Sequence, residues 1–434
     1  MLTHEENMRL CRVTGDAPMG RLMRRSWIPL CLSEEVEEPG GRPLRVTVFG
    51  ITMAVWRDPD GRLGAIDDRC PHRKASMSFG RNEEGGLRCL YHGWKVDQDG
   101  KVVEMPSEPA EACAAAAVKH PHYPVEEAGG FIWGYLGDAA EMPAFEAPPF
   151  APHAGVKVAT CKVHVPCNWA QILEGQIDSA HSSSLHSSDM VPSRVERAGA
   201  TKKNWTRPST DKAPRLTVVS TPYGFRYAAI RRPIANAATH DYFRISTFVS
   251  PLICLIPPNA NYNVAQVTVP ISDTESWFYF MAWGEGPDVP DNEEWRKFLG
   301  VQKGIDLDHR WRKTRTLDND FLQNREAMAL GNFTGITGIP NQDMAMWESM
   351  GPIADRTSER LGASDIAITH WRRLMLDQLD AFERGEPPLG HRAPRIPLSK
   401  IASYEGVAPK GTDWRILGTA EEEAALYAQS DAAE

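Results

Sequence analysis

Two short cysteine–histidine pairs lie close together in the first quarter of the chain. Cys70-x-His72 is followed, after sixteen intervening residues, by Cys89-x2-His92. Each pair offers one thiolate and one imidazole, and a [2Fe–2S] cluster with two Cys on one iron and two His on the other needs this ligand set. Zinc is the alternative metal, but zinc fingers group their two Cys and their two His, whereas the order here is Cys, His, Cys, His. The spacing therefore predicts an iron–sulfur cluster.

A second group of metal-binding side chains follows in the segment Asn168–His186. Residues 168–181 are predicted to form a helix, on which Asp178 and His181 are surface neighbours because they are three residues apart. His186 follows through a Ser-rich segment that is expected to leave the helix and turn back. Two such histidines can supply two ligands of a 2-His-1-carboxylate site whose open positions bind O₂ and a water or substrate. Catalytic zinc is a rival for these ligands, and a helical histidine beside an unrelated loop histidine is the simpler alternative.

The carboxylate that would complete this site is sought in and after a predicted helix between Pro340 and Gly351. Its candidates are Asp343, Glu348 and Asp355. Asp343 is expected in the first turn, where an aspartate can also simply stabilise the helix dipole. Glu348 would point about 140° away from it round the helix. The sequence predicts Asp343 as the third ligand.

Two domains are predicted to position these groups. Before residue 150 the chain alternates short strands, such as 44–49 and 129–135, with turn signals, and a linker rich in proline and alanine follows. Residues 1–150 are therefore assigned to a β domain with an N-terminal extension. Residues 151–434 mix apolar strands at 241–256 and 276–283 with a long helix from Ser364 or Asp365 to about Gly385. The fold class predicted for the whole chain is α+β.

Composition excludes several classes of protein. The net charge of −9 argues against nucleic acid as the main partner. The acidic start has no secretory signal, and no stretch approaches the roughly 18 apolar residues of a membrane span. Eight scattered cysteines do not form a disulfide framework. We expect a soluble, cytoplasmic protein.

These motifs resemble those of the Rieske non-haem iron oxygenase family. The resemblance covers most of the chain and rests on the two Cys–His pairs, on Glu174-x3-Asp178-x2-His181-x4-His186, and on Asn341-Gln342-Asp343. The block 171–186 and the segment 348–353 look most like the phthalate dioxygenase branch, with phenoxybenzoate dioxygenase near it. The resemblance implies a Rieske β domain followed by a helix-grip catalytic domain, in which a curved antiparallel sheet surrounds a long helix.

The resemblance also implies cofactors, assembly and an electron donor. The cofactors would be a Rieske [2Fe–2S] cluster held by Cys70, His72, Cys89 and His92, and a mononuclear Fe(II). The chains would form a head-to-tail homotrimer, alone or stacked as a hexamer, in which the cluster of one subunit serves the iron of its neighbour through Asp178. The sequence has no nicotinamide or flavin fingerprint, so electrons must come from outside the chain. The resemblance implies that their source is an NADH-dependent reductase carrying flavin and a plant-type [2Fe–2S] cluster.

The implied reaction is the cis-dihydroxylation of an aromatic carboxylate by O₂, with a phthalate-type dicarboxylate as the favoured substrate. Such a substrate needs cationic partners, and Arg gives planar two-point contacts. Arg207 follows the His pair and Arg244 interrupts an alternating strand, so both are predicted to bind the substrate; the alternative is a surface arginine or a structural ion pair. Two other functions stay open: a monooxygenase or O-demethylase acting on a benzoate-type substrate, and a non-enzymatic electron-transfer or ligand-binding protein.

Overall fold

The structure, a computed structural model, describes residues 1–195, 197–200, 205–258 and 261–431. The chain divides into two compact units: a small unit, Val13–Phe145, and a large unit that combines Met1–Arg12 with Glu146–Glu434. This division departs from the predicted domains 1–150 and 151–434 in two ways. The boundary lies at residues 145 and 146, and the first twelve residues belong to the large unit.

The first helix explains why the amino-terminal residues join the large unit. Helix α1 (His4–Cys11) begins at a capping box formed by Thr3 and Glu6. Within the large unit, the Asn7 amide donates to the Ala354 carbonyl at 3.0 Å, and Arg9 pairs with two carboxylates of a distant helix. Leu10 and Cys11 are fully buried. These are long-range contacts, which local sequence patterns do not reveal.

The small unit is built from short antiparallel strands. Its helices and strands are α2 (Pro18–Met23), β1 (Ile28–Leu32), β2 (Leu44–Val48), β3 (Ile51–Arg57), β4 (Leu63–Asp67), β5 (Arg81–Glu83), β6 (Gly86–Arg88), β7 (Lys95–Val96), β8 (Val102–Glu104), α3 (Ala110–Ala116), β9 (Val125–Ala128) and β10 (Phe131–Gly134). They form three sheets with the strand orders β1-β10-β9, β2-β3-β4 and β5-β6-β7-β8. The predicted strands at 44–49 and 129–135 are confirmed as β2 and β10. The unit is a β domain, as predicted.

The large unit contains a long antiparallel sheet and most of the helices. Its elements after α1 are β11 (Lys157–Val165), α4 (Trp169–Ile177), β12 (Met190–Pro192), β13 (Gly199–Ala200), β14 (Trp205–Arg207), β15 (Arg215–Thr221), β16 (Gly224–Arg231), β17 (His240–Val249), β18 (Ile253–Ile256), β19 (Asn263–Pro270), β20 (Ser276–Gly284), α5 (Asn292–Leu299), α6 (Arg325–Ala329), α7 (Ile339–Ser349), α8 (Ile366–Glu383), β21 (Tyr404–Pro409) and α9 (Glu421–Asp431). The main sheet has the order β11-β20-β19-β18-β17-β16-β15, and β21 also pairs with β17. A small sheet joins β12, β14 and β13. Together the two units give the predicted α+β class.

The structure contains the predicted elements of the large unit, but the strand expected at 241–256 is divided and the helix expected at 168–181 is shorter. The strand expected at 241–256 is wrong as a single element, because the chain turns at residues 250–252 and forms the hairpin β17–β18. Pro251 lies in that turn, and proline cannot donate to a strand ladder. The long helix is confirmed as α8, which Asp365 precedes. Among the described residues, no helix combines the length and apolar character that crossing a membrane requires.

Candidate metal centres

Two loops of the small unit carry the Cys–His pairs, and they share one backbone pattern. The first loop follows β4, where the Cys70 N–H donates to the Ala75 carbonyl at 2.8 Å and the Cys70 carbonyl accepts from the Lys74 N–H at 2.9 Å. In the second loop, between β6 and β7, the Cys89 N–H donates to the Trp94 carbonyl at 2.8 Å and the Cys89 carbonyl accepts from the Gly93 N–H at 3.0 Å. The fourth residue after each cysteine, Lys74 or Gly93, has a positive φ of 61° or 75°. Each cysteine is thus fixed at the base of a tight loop.

The four predicted ligands meet as a thiol pair and an imidazole pair. Cys70 and Cys89 belong to the buried core of the small unit, and burial, reinforced by the neighbouring Cys89 thiol, raises the pKa of Cys70 to about 11. The His72 and His92 rings lie edge to face, with centroids 4.4 Å apart. His72 also stacks on Trp94 with centroids 4.6 Å apart and planes inclined by 6°. Trp94 thereby fixes the ring plane of His72.

One buried atom in this group has no protein partner. His72 Nδ1 is buried and accepts or donates no hydrogen bond within the described residues, and a buried polar atom of this kind costs free energy unless a ligand occupies it. Two thiols on one side and two imidazoles on the other are the donors of a cluster with mixed Cys and His ligation. The residues present therefore fit a [2Fe–2S] group.

Three further predicted ligands meet in the large unit. His181 Nε2 lies 3.1 Å from His186 Nε2, and Asp343 Oδ1 lies 3.5 Å from the first and 3.1 Å from the second. These are the residues in the described part of the chain whose donor atoms group closely enough to hold one ion. Two imidazoles and a carboxylate with open positions suit a non-haem iron. The donor set fits the predicted mononuclear Fe(II).

The helix that leads to the histidines is shorter than predicted. Helix α4 ends at Ile177, and Asp178 follows with an extended backbone, so the prediction of a helix through His181 is wrong. The Asp178 carboxylate accepts from the Ala180 N–H at 2.7 Å, and a side chain that captures nearby backbone donors competes with the helix. His181 then starts a separate 3-10 turn, His181–Ser183. Asp178 and His181 are still neighbours, because the turn replaces the helix at this point.

Asp178 contacts the outer nitrogen of His181. Asp178 Oδ2 lies 3.4 Å from His181 Nδ1. Burial acts to raise the pKa of Asp178, but the hydrogen bond and charge of His181 outweigh it and the pKa is lowered. Burial acts in turn to lower the pKa of His181, and Asp178 outweighs it, so that this pKa is raised. The carboxylate therefore keeps a proton on Nδ1 and leaves Nε2 as the donor atom.

The three candidate carboxylates have different surroundings. Helix α7 begins at Ile339, so Asp343 lies in its second turn and not in the first, which corrects the prediction and removes a role at the helix dipole. Glu348 pairs with the buried Lys313 at 2.5 Å. Asp355 accepts from the Thr357 N–H and hydroxyl at 2.9 and 2.6 Å. Of the three, the structure brings Asp343 to the histidines.

A glutamine that sequence reasoning did not single out orients the second histidine. His186 Nδ1–H donates to Gln342 Oε1 at 2.7 Å. The Gln342 amide donates in turn to Asp189 Oδ2 at 2.7 Å and to the Ile336 carbonyl at 2.9 Å. This relay fixes the ring of His186 with Nε2 toward Asp343. The available signal was the position of Gln342 beside Asp343 in the chain.

A cavity opens beside the three donor atoms. Aromatic and aliphatic side chains form much of its wall: Trp205, Ile256, Pro257, Phe280, Ile339 and Trp347. Gln176, Ser246 and Gln266 add polar groups, and Arg244 adds a positive charge. An apolar wall with one cation beside the metal donors suits an aromatic ring that carries an anionic substituent.

The two predicted substrate arginines are both buried in the large unit. Arg244 lines the cavity, whereas Arg207 is not among its lining residues. Arg207 is 2% exposed and lies within 3.5 Å of the Ser183 hydroxyl. Burial and the charge of Arg244 lower the pKa of Arg207, so the two cations are close enough to repel each other. The predicted alternative of a surface arginine is wrong for both.

Glu174, the first residue of the catalytic motif, does not reach the metal donors. It is buried between Arg356, which donates to both of its carboxylate oxygens at 2.8 and 3.0 Å, and Arg372, which donates at 2.6 Å. Burial acts to raise the pKa of Glu174, but the two arginines outweigh it and the pKa is lowered. Since Arg356 also donates to Asn7 of α1 at 3.0 Å, the group links α1, α4 and α8 and supports the helix that leads to Asp178.

Comparisons with known proteins identify a domain family in each part of the chain. Residues 26–124 match the Rieske [2Fe–2S] domain family, and residues 134–434 match the family described as LigXa C-terminal domain like. The chain is 60% identical, over 96% of its length and 94% of the relative, to the phthalate 4,5-dioxygenase oxygenase subunit of Pseudomonas putida. It is 34% identical to the 3-chlorobenzoate-3,4-dioxygenase oxygenase subunit of Comamonas testosteroni, over 95% and 97% of the two chains.

A solved structure with the same fold shows an oxygenase together with a partner. It is the reduced complex between oxygenase and ferredoxin in carbazole 1,9a-dioxygenase, with a TM-score of 0.54 and 20% identity over 91% of this chain and 98% of that chain. At this identity the likeness shows the fold alone. It agrees with the two-unit architecture of a β domain followed by a sheet-rich domain.

Proposed function

Because this chain belongs to the Rieske non-haem iron oxygenase family, we propose that it is the oxygenase component that cis-dihydroxylates a phthalate-type dicarboxylate. The observation that carries the proposal is a largely apolar cavity beside His181, His186 and Asp343, with the cation of Arg244 on its wall. The relative named phthalate 4,5-dioxygenase, with which the chain shares 60% of aligned residues, supports this substrate class.

The cofactor ligands follow from the donor sets described above. Cys70, His72, Cys89 and His92 would hold the cluster, and His181, His186 and Asp343 would hold Fe(II). When bound, the cluster supplies single electrons and the iron supplies the activation of O₂. The protein contributes the orientation of these donors, through Asp178 on one histidine and Gln342 on the other.

The cavity positions the substrate for this chemistry. Arg244 on the cavity wall, and Arg207 close to it, would bind carboxylate through planar donor groups in a buried setting, where such contacts are strong. The aromatic wall of Trp205, Phe280 and Trp347 would hold the ring and exclude water from the donor atoms. A ring held in one orientation presents one face to the metal, which is the requirement for cis addition.

The proposal extends to the partners. The electron donor would be an NADH-dependent reductase with flavin and a plant-type [2Fe–2S] cluster, and such a donor fits a cytoplasmic location because NADH is held there. The subunits would form a homotrimer or a stacked hexamer, in which Asp178 connects a neighbouring cluster to the iron. Asp178 supports this role because its carboxylate already contacts His181 and is 20% exposed, so part of it can accept a further donor.

The test is O₂ uptake by the iron-loaded protein with a phthalate-type reductase and NADH. The substrates are the three benzenedicarboxylate isomers, 3-phenoxybenzoate and a methoxybenzoate, and the products are identified by mass. We expect uptake matched by a diol for one dicarboxylate. Formaldehyde or a monohydroxylated product would select the O-demethylase or monooxygenase alternative. No substrate-dependent uptake, with both iron centres present, would contradict the proposal.

A further inference from the structure

A third arginine lies on the same side of the main sheet as the cavity. In the register of β16 and β17, Tyr227 pairs with Ser246, Ala229 with Arg244, and Arg231 with Tyr242. Alternate residues of a strand share a face, and directly paired residues share it too. Tyr227, Ser246 and Arg244 line the cavity. Arg231 is therefore on the cavity face of the sheet, diagonally next to Arg244.

Arg231 and Arg207 are buried cations that no carboxylate neutralises. They are 1% and 2% exposed, and neither guanidinium has a carboxylate within salt-bridge range among the described residues. Arg231 Nη2 donates to the Ser179 carbonyl at 2.9 Å and lies 3.5 Å from the Ser183 hydroxyl. Arg207 Nη1 lies at the same 3.5 Å from that hydroxyl. One neutral serine between two cations does not compensate their charge.

Several N–H groups of these arginines have no acceptor. They are Nε of Arg207 and both Nε and Nη1 of Arg231, all fully buried. Buried charged groups are normally paired, because leaving one unpaired away from water is strongly unfavourable. Burial, followed by the charges of Arg244 and Arg207, lowers the pKa of Arg231 to about 10. The two arginines therefore carry buried N–H donors that an anionic oxygen could accept.

We propose that Arg231 is the third arginine of the substrate site and that it selects for a second carboxylate on the aromatic ring. This inference rests on the function proposed above and deepens it, because Arg207 and Arg244 alone would serve a benzoate as well as a dicarboxylate. A monocarboxylate leaves the donors of Arg231 buried and unpaired, whereas a dicarboxylate supplies their acceptor. Leaving buried donors unpaired is the physical basis of discrimination in such sites.

The inference predicts a change in selectivity, which a purely structural arginine would not show. Arg231 holds the Ser179 carbonyl in the segment between Asp178 and His181, so a structural role would appear as lost iron. A specificity role appears as weaker binding of the dicarboxylate alone. The two are separated by measuring iron content and both ligand affinities in the same variant.

The experiment uses Arg231→Gln in the iron-loaded holoenzyme, with binding measured by calorimetry under anaerobic conditions. The probes are benzene-1,2-dicarboxylate and benzoate. We expect the Kd of the dicarboxylate to rise by about tenfold to hundredfold, the usual effect of losing charge-assisted hydrogen bonds, while the Kd of benzoate changes by less than about threefold. Arg232→Gln is the matched control, because it removes the same charge from the adjacent, exposed position. Its affinities should equal those of the wild type.

Other outcomes overturn the inference in distinguishable ways. Equal weakening of both ligands, or lost iron with unchanged selectivity, would assign Arg231 to the structure of the loop. If Arg231→Gln fails to fold, Arg231→Lys replaces it: it keeps the charge but loses the planar donors, so the dicarboxylate should still be weakened selectively. If the wild type binds no benzenedicarboxylate, the proposed function itself fails; if it does and the variant is unaffected, only the role of Arg231 fails.

Discussion

Replacing Gln342 by methionine tests how the protein orients the second histidine of the metal site. The substitution keeps the side-chain volume but removes an acceptor 2.7 Å from His186 Nδ1 and donors to Asp189 and Ile336. Outer partners of metal-bound histidines typically contribute about 10- to 100-fold to metal affinity. That range corresponds to about 1.4–2.7 kcal/mol of binding free energy. We therefore expect the Kd for Fe(II) of Gln342→Met to rise by this factor.

The assay is a competition titration for Fe(II) with a chelator of known affinity, under anaerobic conditions. Asn341→Ala is the matched control. Asn341 is the preceding residue of α7 and also carries a buried amide, but that amide donates to the Gly300 and Thr337 carbonyls, not to His186. Asn341→Ala should lower the stability of the fold and leave the Kd for Fe(II) within about threefold of the wild type. Equal loss of iron affinity in both variants would refute the reasoning, because the effect would then belong to the helix as a whole.

Three further predictions concern the substrate, the stability and the electron path. Arg207→Ala and Arg244→Ala should each raise KM for the dicarboxylate at least about tenfold with little change in iron content; steady-state kinetics with unchanged KM would remove them from the pocket. Glu174→Gln breaks a buried pair with two arginines and should cost about 3–5 kcal/mol in denaturant unfolding at neutral pH. The pKa of Glu174 is lowered in the folded state. Its contribution to the free energy of unfolding is therefore fully present above the pKa of about 4.3 in the unfolded chain, and it is lost as pH falls through the folded pKa. The difference in stability between the variant and the wild type should therefore close in acid. Asp178→Asn, compared with the wild type in samples matched for iron content, should slow reoxidation of the reduced cluster by substrate and O₂ in stopped-flow absorbance; an unchanged rate would rule out the proposed path.

The grouping of the candidate metal ligands could be predicted from the sequence because most of them lie close together in the chain. Each half of the cluster motif lies within four consecutive residues, and the structure places both halves in loops of the same backbone pattern. The two histidines of the second site are also close in the chain. The third ligand had to be chosen among three carboxylates. Helix geometry separated two of them, because the side chains of Asp343 and Glu348 had to point in different directions from the same helix. Ligand types with short spacings therefore carry most of the information about such sites.

The features that were missed depend on contacts between distant residues. Helix α4 ends just before Asp178, whose side chain accepts from the Ala180 N–H. The spacing of apolar residues does not predict this competition between a side chain and the helix backbone for an N–H donor. Helix α1 joins the large unit through partners more than 340 positions away, such as Ala354 and Arg356. Arg231 resembles any charged residue at a strand end until the register places it beside Arg244. Only the folded chain shows which charges share a buried space.

The most direct test of the account is a single turnover of the iron-loaded oxygenase and its reductase with benzene-1,2-dicarboxylate under ¹⁸O₂. The account predicts one diol product that carries two labelled oxygen atoms on the same face of the ring, with one O₂ consumed per product. A product with one labelled atom, or labelled water without any ring oxidation, would contradict the assignment of this cavity to the cis-dihydroxylation of a dicarboxylate.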